Sequence, residues 1–214
     1  YNSNKMKMIK RLFFIRHGEA QHNVAWYKYG EKAYYMKEIT DPKLTNTGES
    51  QALHLGNNFK DINSVELVIV SPLMRCLQTA SNIFIGHNVQ MIACEEAREF
   101  PMGLQYTNKR SNKYLLRKEF PHVNFINLKT DDDKLWNNER LETLDELNTR
   151  TENLYTYIKK RPEKNIAVVS HSTFIMNALY NNVDESHDSE LKHCYPYEKF
   201  IGNIDYEKHM ESSF

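Results

Sequence analysis

The sequence holds no apolar run near the roughly 18 residues that a membrane-spanning helix needs, so no membrane span is expected. It also has no excess of either charge. Lysine plus arginine number 28, aspartate plus glutamate 28, and the formal net charge is zero. A general electrostatic grip on nucleic acid or anionic lipid is therefore not expected, and any anion site must be a local cluster of cations. Cysteine is scarce. Cys76, Cys94 and Cys194 lie far apart without a C-x-x-C pair, and three thiols cannot all pair within one chain, which points to a reducing, cytoplasmic setting. With 7 glycines, 6 prolines and 40% apolar residues, the composition is globular rather than collagen-like or disordered. The polar, lysine-bearing stretch Tyr1 to Met8 lacks the apolar centre of a signal peptide. Nine histidines invite a metal-site reading, but no H-E-x-x-H or H-x-H is present, and no G-x-S-x-G marks a serine hydrolase.

What is present is an alternation of short apolar runs with helical periods. Lys10–Arg16, Val65–Val70, Val89–Ala93 and Asn165–Ser170 read as buried strands. Between them, Ala52, Leu55, Gly56 and Phe59 recur at helical spacing and predict a helix over Thr47–Lys60, capped by Thr45 or Thr47. Ser71 as N-cap with Pro72 at the first position starts a second helix, whose inner face is Leu73, Leu77, Ala80 and Phe84. Leu141, Leu144, Leu147, Leu154 and Ile158 mark a long helix ending before Pro162, and Thr173–Tyr180 another. This alternation predicts an α/β fold: a single domain of three α/β/α layers around a mostly parallel sheet. The irregular stretch at about 100–140 reads as a lid or substrate-reading insertion over the sheet edge. An exposed edge strand leaves a homodimer possible. The tyrosine-rich stretch from Trp26 to Tyr35 reads as packing or lid.

In such folds ligands sit beyond the carboxyl ends of the strands. The residues there are Arg16-His17-Gly18-Glu19, Arg75, Glu99 and His171-Ser172. Two arginines, two histidines and a carboxyl are what phosphoryl transfer through histidine needs. A neutral imidazole is the nucleophile, fixed cations hold the phosphoryl oxygens, and a carboxyl serves the leaving group. The arginines should lower the pKa of the nearby histidine, and Gly18 lets the backbone come close to the imidazole. Lys109 and Arg110 are candidates to reach the substrate, and His22 is notable for lying in the same loop.

The ordered blocks R-H-G-E with Asn23, Leu44-Thr45-x-x-Gly48-x-x-Gln51-Ala52, Ser71-Pro72-Leu73-x-Arg75-x-x-x-Thr79-Ala80, Glu99-x-x-x-Gly103 and Val168-Val169-Ser170-His171 together resemble the histidine phosphatases, the superfamily of phosphoglycerate mutase. The resemblance implies that His17 becomes phosphohistidine and that Arg16, Arg75 and His171 hold the phosphoryl group with Asn23 assisting. Glu99 would protonate the leaving alcohol and then accept a proton from water, with Phe100, Met102, Glu95 and Glu96 raising its pKa. The backbone of Ser172 and Thr173, at a helix start, is placed to face the phosphate. The resemblance implies no metal and no organic cofactor. It implies a phosphorylated small metabolite or phosphoprotein as substrate. Ala20 departs from the threonine or serine common in the family. A phosphomonoesterase is the leading expectation. A phosphoglycerate mutase comes second, and a non-catalytic phospho-ligand binding module third.

Overall fold

A computed structural model describes residues 9–183 and 191–202. The core begins with two runs that each hold four consecutive apolar residues between polar ends, a pattern that suits strands covered on both faces. These are β1 (Lys10–Arg16) and β5 (Asn165–Ser170), which pair in parallel with Arg16 opposite Ser170. The other strands are β2 (Leu67–Val70), β3 (Gln90–Ala93), β4 (Val123–Asn124) and β6 (Pro196–Ile201). They form one six-stranded sheet in the order β4-β3-β2-β5-β1-β6, parallel except for β6, which runs antiparallel to β1. No helix among the described residues is long and apolar enough to cross a membrane.

Helices cover both faces, giving the three α/β/α layers expected. On one face, α2 (Asn46–Asn58) and α3 (Met74–Ile83) pack Ala52, Leu55, Leu77 and Ala80 against Phe13, Ile15 and Val68. On the other, α5 (Leu144–Lys160) and α6 (Ser172–Tyr180) bring Leu147, Leu154, Phe174 and Ile175 onto Leu12, Phe14, Leu67 and Val168. Alternate residues of each strand serve opposite faces, as the two-residue period of a strand demands. Thr45 caps α2 through the Gly48 N–H, and Thr143 with Glu146 forms a capping box on α5.

Several expectations need correction. The helix after β2 starts at Met74, not at Pro72, because the Ser71 hydroxyl is bonded to His171 Nε2 at 2.8 Å. Its first N–H is capped from far away in sequence by Asp41 Oδ1, at 2.8 Å from Met74 N. The long helix starts at Leu144, so Leu141 precedes it, and Leu144 itself is exposed. The strands expected at Val65 and Val89 begin later, at Leu67 and Gln90. Helix α1 (Gln21–Tyr29), β4 and β6 were not expected.

The stretch 100–140 carries one short helix, α4 (Lys113–Glu119), and β4. Buried guanidinium groups hold it. Arg98 pairs with Asp133 at 2.6 Å and Glu95 at 3.1 Å. Arg110 pairs with Glu95 at 2.9 Å, and Arg150 pairs with Glu142 at 2.5 Å while also donating to the carbonyls of Glu96, Arg98 and Glu99. Removing one partner of such a pair leaves a buried charge uncompensated, at about 3–5 kcal/mol.

Candidate active site

The elements deliver their polar ends to one cleft of about 310 Å³. β1 ends at Arg16 and passes to His17, β5 passes to His171, the first turn of α3 supplies Arg75, and the chain after β3 leads to Glu99. Arg16, His17, Asn23, Arg75, Glu99 and Ser172 all line the cleft.

His17 is buried, and its imidazole is oriented at both nitrogens. Nδ1 lies 2.7 Å from the Gly18 carbonyl oxygen, which can only accept, so Nδ1 carries the proton. Nε2 is therefore the lone-pair nitrogen, and it accepts from Arg75 Nε at 3.3 Å. Burial foremost, then the charge of Arg75 and the neighbouring rings of His171 and His22, hold the His17 pKa well below the usual histidine range. Near neutral pH the ring is thus an uncharged nucleophile facing a guanidinium.

Arg75 is held in turn. Its two terminal nitrogens donate to the Thr107 carbonyl at 2.7 Å and to Asn108 Oδ1 at 3.0 Å. Arg16 donates to the Leu191 carbonyl at 2.7 Å. Asn23 Oδ1 accepts from the Ala20 N–H at 2.9 Å, which leaves its NH₂ as the end suited to an anion. Glu99 Oε1 accepts from the backbone N–H groups of Phe100 at 2.8 Å and Phe174 at 3.2 Å, so the carboxyl is fixed at the start of α6.

The loop after His17 explains the second and third sequence blocks. Glu19 N–H donates to Gln51 Oε1 at 2.8 Å, and Thr45 Oγ1 donates to Glu19 Oε1 at 2.6 Å. Gly18 N–H donates to Thr79 Oγ1 at 3.0 Å. A Cβ on Gly18 would lie 2.4 Å from the Gly48 carbonyl oxygen, and one on Gly48 would lie 2.0 Å from that of Glu19. The two glycines are needed for backbone against backbone, rather than for approach to the imidazole. His193 Nδ1 braces the same loop at 2.6 Å from the His17 carbonyl oxygen.

Three expected site residues are placed differently. His171 comes next to His17, with ring centroids 5.2 Å apart, but it is fully buried and does not line the cleft. Its Nε2 faces the Ser71 hydroxyl and the Cys76 thiol at 3.3 Å. Burial, then Arg75, lowers its pKa as well. Arg110 is buried on Glu95 and the carbonyls of Thr130, Asp131 and Ser111, so it ties the stretch together and does not line the cleft. Lys109 lies over the Trp136 ring at 4.4 Å and does not line the cleft. Glu95 and Glu96, expected to crowd Glu99, are engaged with Arg98 and Arg110 and with Cys94 respectively. Tyr34, Gln105, Thr107 and Asn108 also line the cleft; they fall in the two stretches read from sequence as lid or substrate-reading, which gave no signal to single them out. Among the described residues no group of three or more His, Cys, Asp or Glu side chains could hold a metal ion.

A mostly parallel sheet with an oriented histidine at the end of its inner strand, backed by a second histidine and faced by buried arginine, defines the phosphoglycerate mutase-like class of α/β protein. A model of the histidine phosphatase superfamily (branch 1) matches residues 12–196, and the chain belongs to that family. It is 29% identical over 213 residues to phosphoglycerate mutase-like protein 1 of Arabidopsis thaliana, spanning 86% of this chain and 75% of the relative. The fold is that of the alpha-ribazole phosphatase from Shigella flexneri (TM-score 0.57, 21% identity, 86% of each chain). It is equally that of the phosphoserine phosphatase from Entamoeba histolytica, solved in complex with 3-phosphoglyceric acid (TM-score 0.55, 20% identity, 91% of this chain and 96% of the other). The family and its structural neighbours are phosphatase and mutase enzymes.

Proposed function

We propose that the protein is a phosphomonoester hydrolase that works through a phosphohistidine on His17. The observation that carries the reading is the fixed tautomer: Nδ1–H on the Gly18 carbonyl, which leaves the lone pair on Nε2, facing Arg75.

His17 Nε2 attacks phosphorus, the N–P bond forms, and the ester P–O bond breaks. A proton from Glu99 goes to the departing oxygen. Water then attacks phosphorus, Glu99 takes its proton, and the N–P electron pair returns to His17. Arg16, Arg75, the Asn23 amide and the start of α6 at Ser172 hold the three phosphoryl oxygens through both steps. His171 serves as the packed backing of the nucleophile. Each donor aimed at that charge contributes on the order of 100–1000-fold in rate. No step calls for a metal or organic cofactor. A cleft of about 310 Å³ suits a small phosphorylated metabolite better than a folded phosphoprotein. Three free cysteines fit a reducing compartment, and we place the protein in the cytoplasm.

The test is hydrolysis of p-nitrophenyl phosphate by wild type and His17→Ala, with quenched wild type examined for acid-labile phosphate on residue 17. Undiminished turnover in the variant would end the reading. The second reading is a phosphoglycerate mutase, favoured by the likeness to the Arabidopsis protein. Fast isomerisation of 3-phosphoglycerate with negligible phosphate release would put it first.

A further inference from the structure

Glu99 sits on a part of the chain that no sheet ladder or helix carries. Between the one-turn helices at Glu95–Ala97 and Tyr106–Asn108 the backbone is irregular. Partners for the carbonyls of this stretch, and of the turn before it, must come from other parts of the chain. Ser170 Oγ donates to the Ala97 carbonyl at 2.6 Å, and Asn108 Nδ2 to that of Pro101 at 3.1 Å. Three others belong to one side chain. Arg150, 7% exposed on α5, donates to the carbonyls of Glu96 at 2.9 Å, Arg98 at 2.6 Å and Glu99 at 3.1 Å.

The same guanidinium reaches the acid by a second route. Its central carbon lies 5.1 Å from the centre of the Phe174 ring, and the Phe174 N–H, with that of Phe100, holds Glu99 Oε1. Glu142 locks Arg150 in place: Oε1 accepts from Nε at 2.5 Å and Oε2 from Nη2 at 3.0 Å. Glu142 also ties the chain beyond Glu99. Its Oε2 accepts from the Met102 N–H at 3.0 Å, and its own N–H donates to the Met102 carbonyl at 2.7 Å. The pair thus grips the backbone on both sides of Glu99, and neither residue lines the cleft.

We propose that Arg150, clamped by Glu142, is a positioning residue for Glu99: it sets the main chain of the proton donor so that the carboxyl meets the departing oxygen. The proposal rests on the phosphohistidine reading above. In that step the ester P–O bond breaks, its electron pair goes to the departing oxygen, and the proton of Glu99 follows it there. An aligned proton donor contributes about 100–10,000-fold to such a step, and a misplacement of about 1 Å forfeits on the order of 100-fold. The contribution depends on the leaving group, since p-nitrophenolate departs readily without a proton and an alkoxide does not. A fault in the position of Glu99 therefore falls on alkyl esters, whereas a general loosening of the fold falls on all esters alike.

Benzyl phosphate and p-nitrophenyl phosphate, similar in size, test this through kcat/KM, which covers the steps up to departure of the alcohol and excludes the later attack of water. Arg150→Lys keeps a charge beside Glu142 but cannot span three carbonyls from one nitrogen. It should lower kcat/KM for benzyl phosphate about 10–100-fold more than for p-nitrophenyl phosphate. Glu142→Gln, whose amide nitrogen cannot accept, covers the case in which Arg150→Lys folds poorly, and should show the same selectivity to a smaller degree. In a Glu99→Gln background the selectivity should vanish, because two changes acting through one group do not add. Equal loss on both esters in both variants, or undiminished selectivity in Glu99→Gln, would overturn the positioning role, while turnover that still depends on His17 would leave the phosphatase reading standing. Wild type inert toward both esters, or His17→Ala as active as wild type, would remove that reading and this inference with it.

Discussion

Replacing Arg75 by lysine keeps a positive charge and removes the fork. Arg75 is 1% exposed and directs three nitrogens at three groups: His17 Nε2 at 3.3 Å, the Thr107 carbonyl at 2.7 Å and Asn108 Oδ1 at 3.0 Å. A lysine ammonium cannot span that set from the same position on α3, because its donors radiate from one nitrogen. Thr107 O and Asn108 Oδ1 would lose their donors, at about 1–3 kcal/mol for each buried group, so Arg75→Lys should lower stability by about 2–6 kcal/mol. In the proposed mechanism the remaining N–H donors of the fork, meant for the phosphoryl oxygens, would also go, at about 3–4 kcal/mol, or about 100–1000-fold in kcat. The assay is p-nitrophenyl phosphate hydrolysis well below the thermal midpoint, beside urea unfolding of the same preparations. A folded Arg75→Lys retaining kcat/KM within about threefold of wild type would refute the claim that the fork, rather than charge alone, matters. Arg75→Met should fall further, since it also removes the charge.

Other outcomes follow from the same geometry. Gly48→Ala, distant in sequence from the nucleophile, should cut activity more than tenfold and destabilise by more than about 2 kcal/mol, because its Cβ would meet the Glu19 carbonyl oxygen at 2.0 Å; a melt and a rate check both. Stability should fall as pH drops below about 6.5. His17, His22 and His171 all have folded-state pKa values held below the unfolded one, so the unfolded chain binds more protons there. With all three titrating, the slope reaches at most about 4 kcal/mol per pH unit. Asp41, whose carboxyl burial pushes up, opposes this by at most one proton. Urea midpoints from pH 7.5 to 5 measure it, and a flat profile would contradict the buried neutral rings. Asp41→Asn should weaken folding by about 1–3 kcal/mol, since an amide cannot accept from both Met74 N–H and Ser111 N–H; chemical denaturation reads it directly. Arg98→Ala should destabilise by about 3–5 kcal/mol by stranding Asp133, with faster proteolysis of the stretch 100–140 as the signature.

Much of the fold is legible in the sequence where a segment's environment is uniform. β1 and β5 are buried along nearly their whole length, so an unbroken apolar run marks them. β6 alternates partly buried and exposed positions and opens with proline, and β4 has only two residues, so neither leaves a pattern. Helix α1 buries only His22 and shows no apolar stripe. The site divides in the same way. His17, Arg16, Arg75, Asn23, Glu99 and Ser172 stand at element ends, where the order of strands and helices assigns a location. Lys109 and Arg110 lie in a stretch whose course is set by buried ion pairs between residues distant in sequence, and charge alone did not say which way each would face. Asn108, next to them, holds Arg75. Nothing in its surroundings distinguishes it from the other 21 asparagines of the chain.

The pairing of Arg16 with Ser170 across β1 and β5 means that His17 and His171 leave adjacent strands at the same level. Their separation therefore follows the inter-strand repeat of a parallel sheet, about 4.8 Å, and not the length of any loop. Insertions that reshape the rim would leave this spacing untouched, so the substrate range of such a protein can drift while the pitch between its two imidazoles stays fixed by backbone hydrogen bonds.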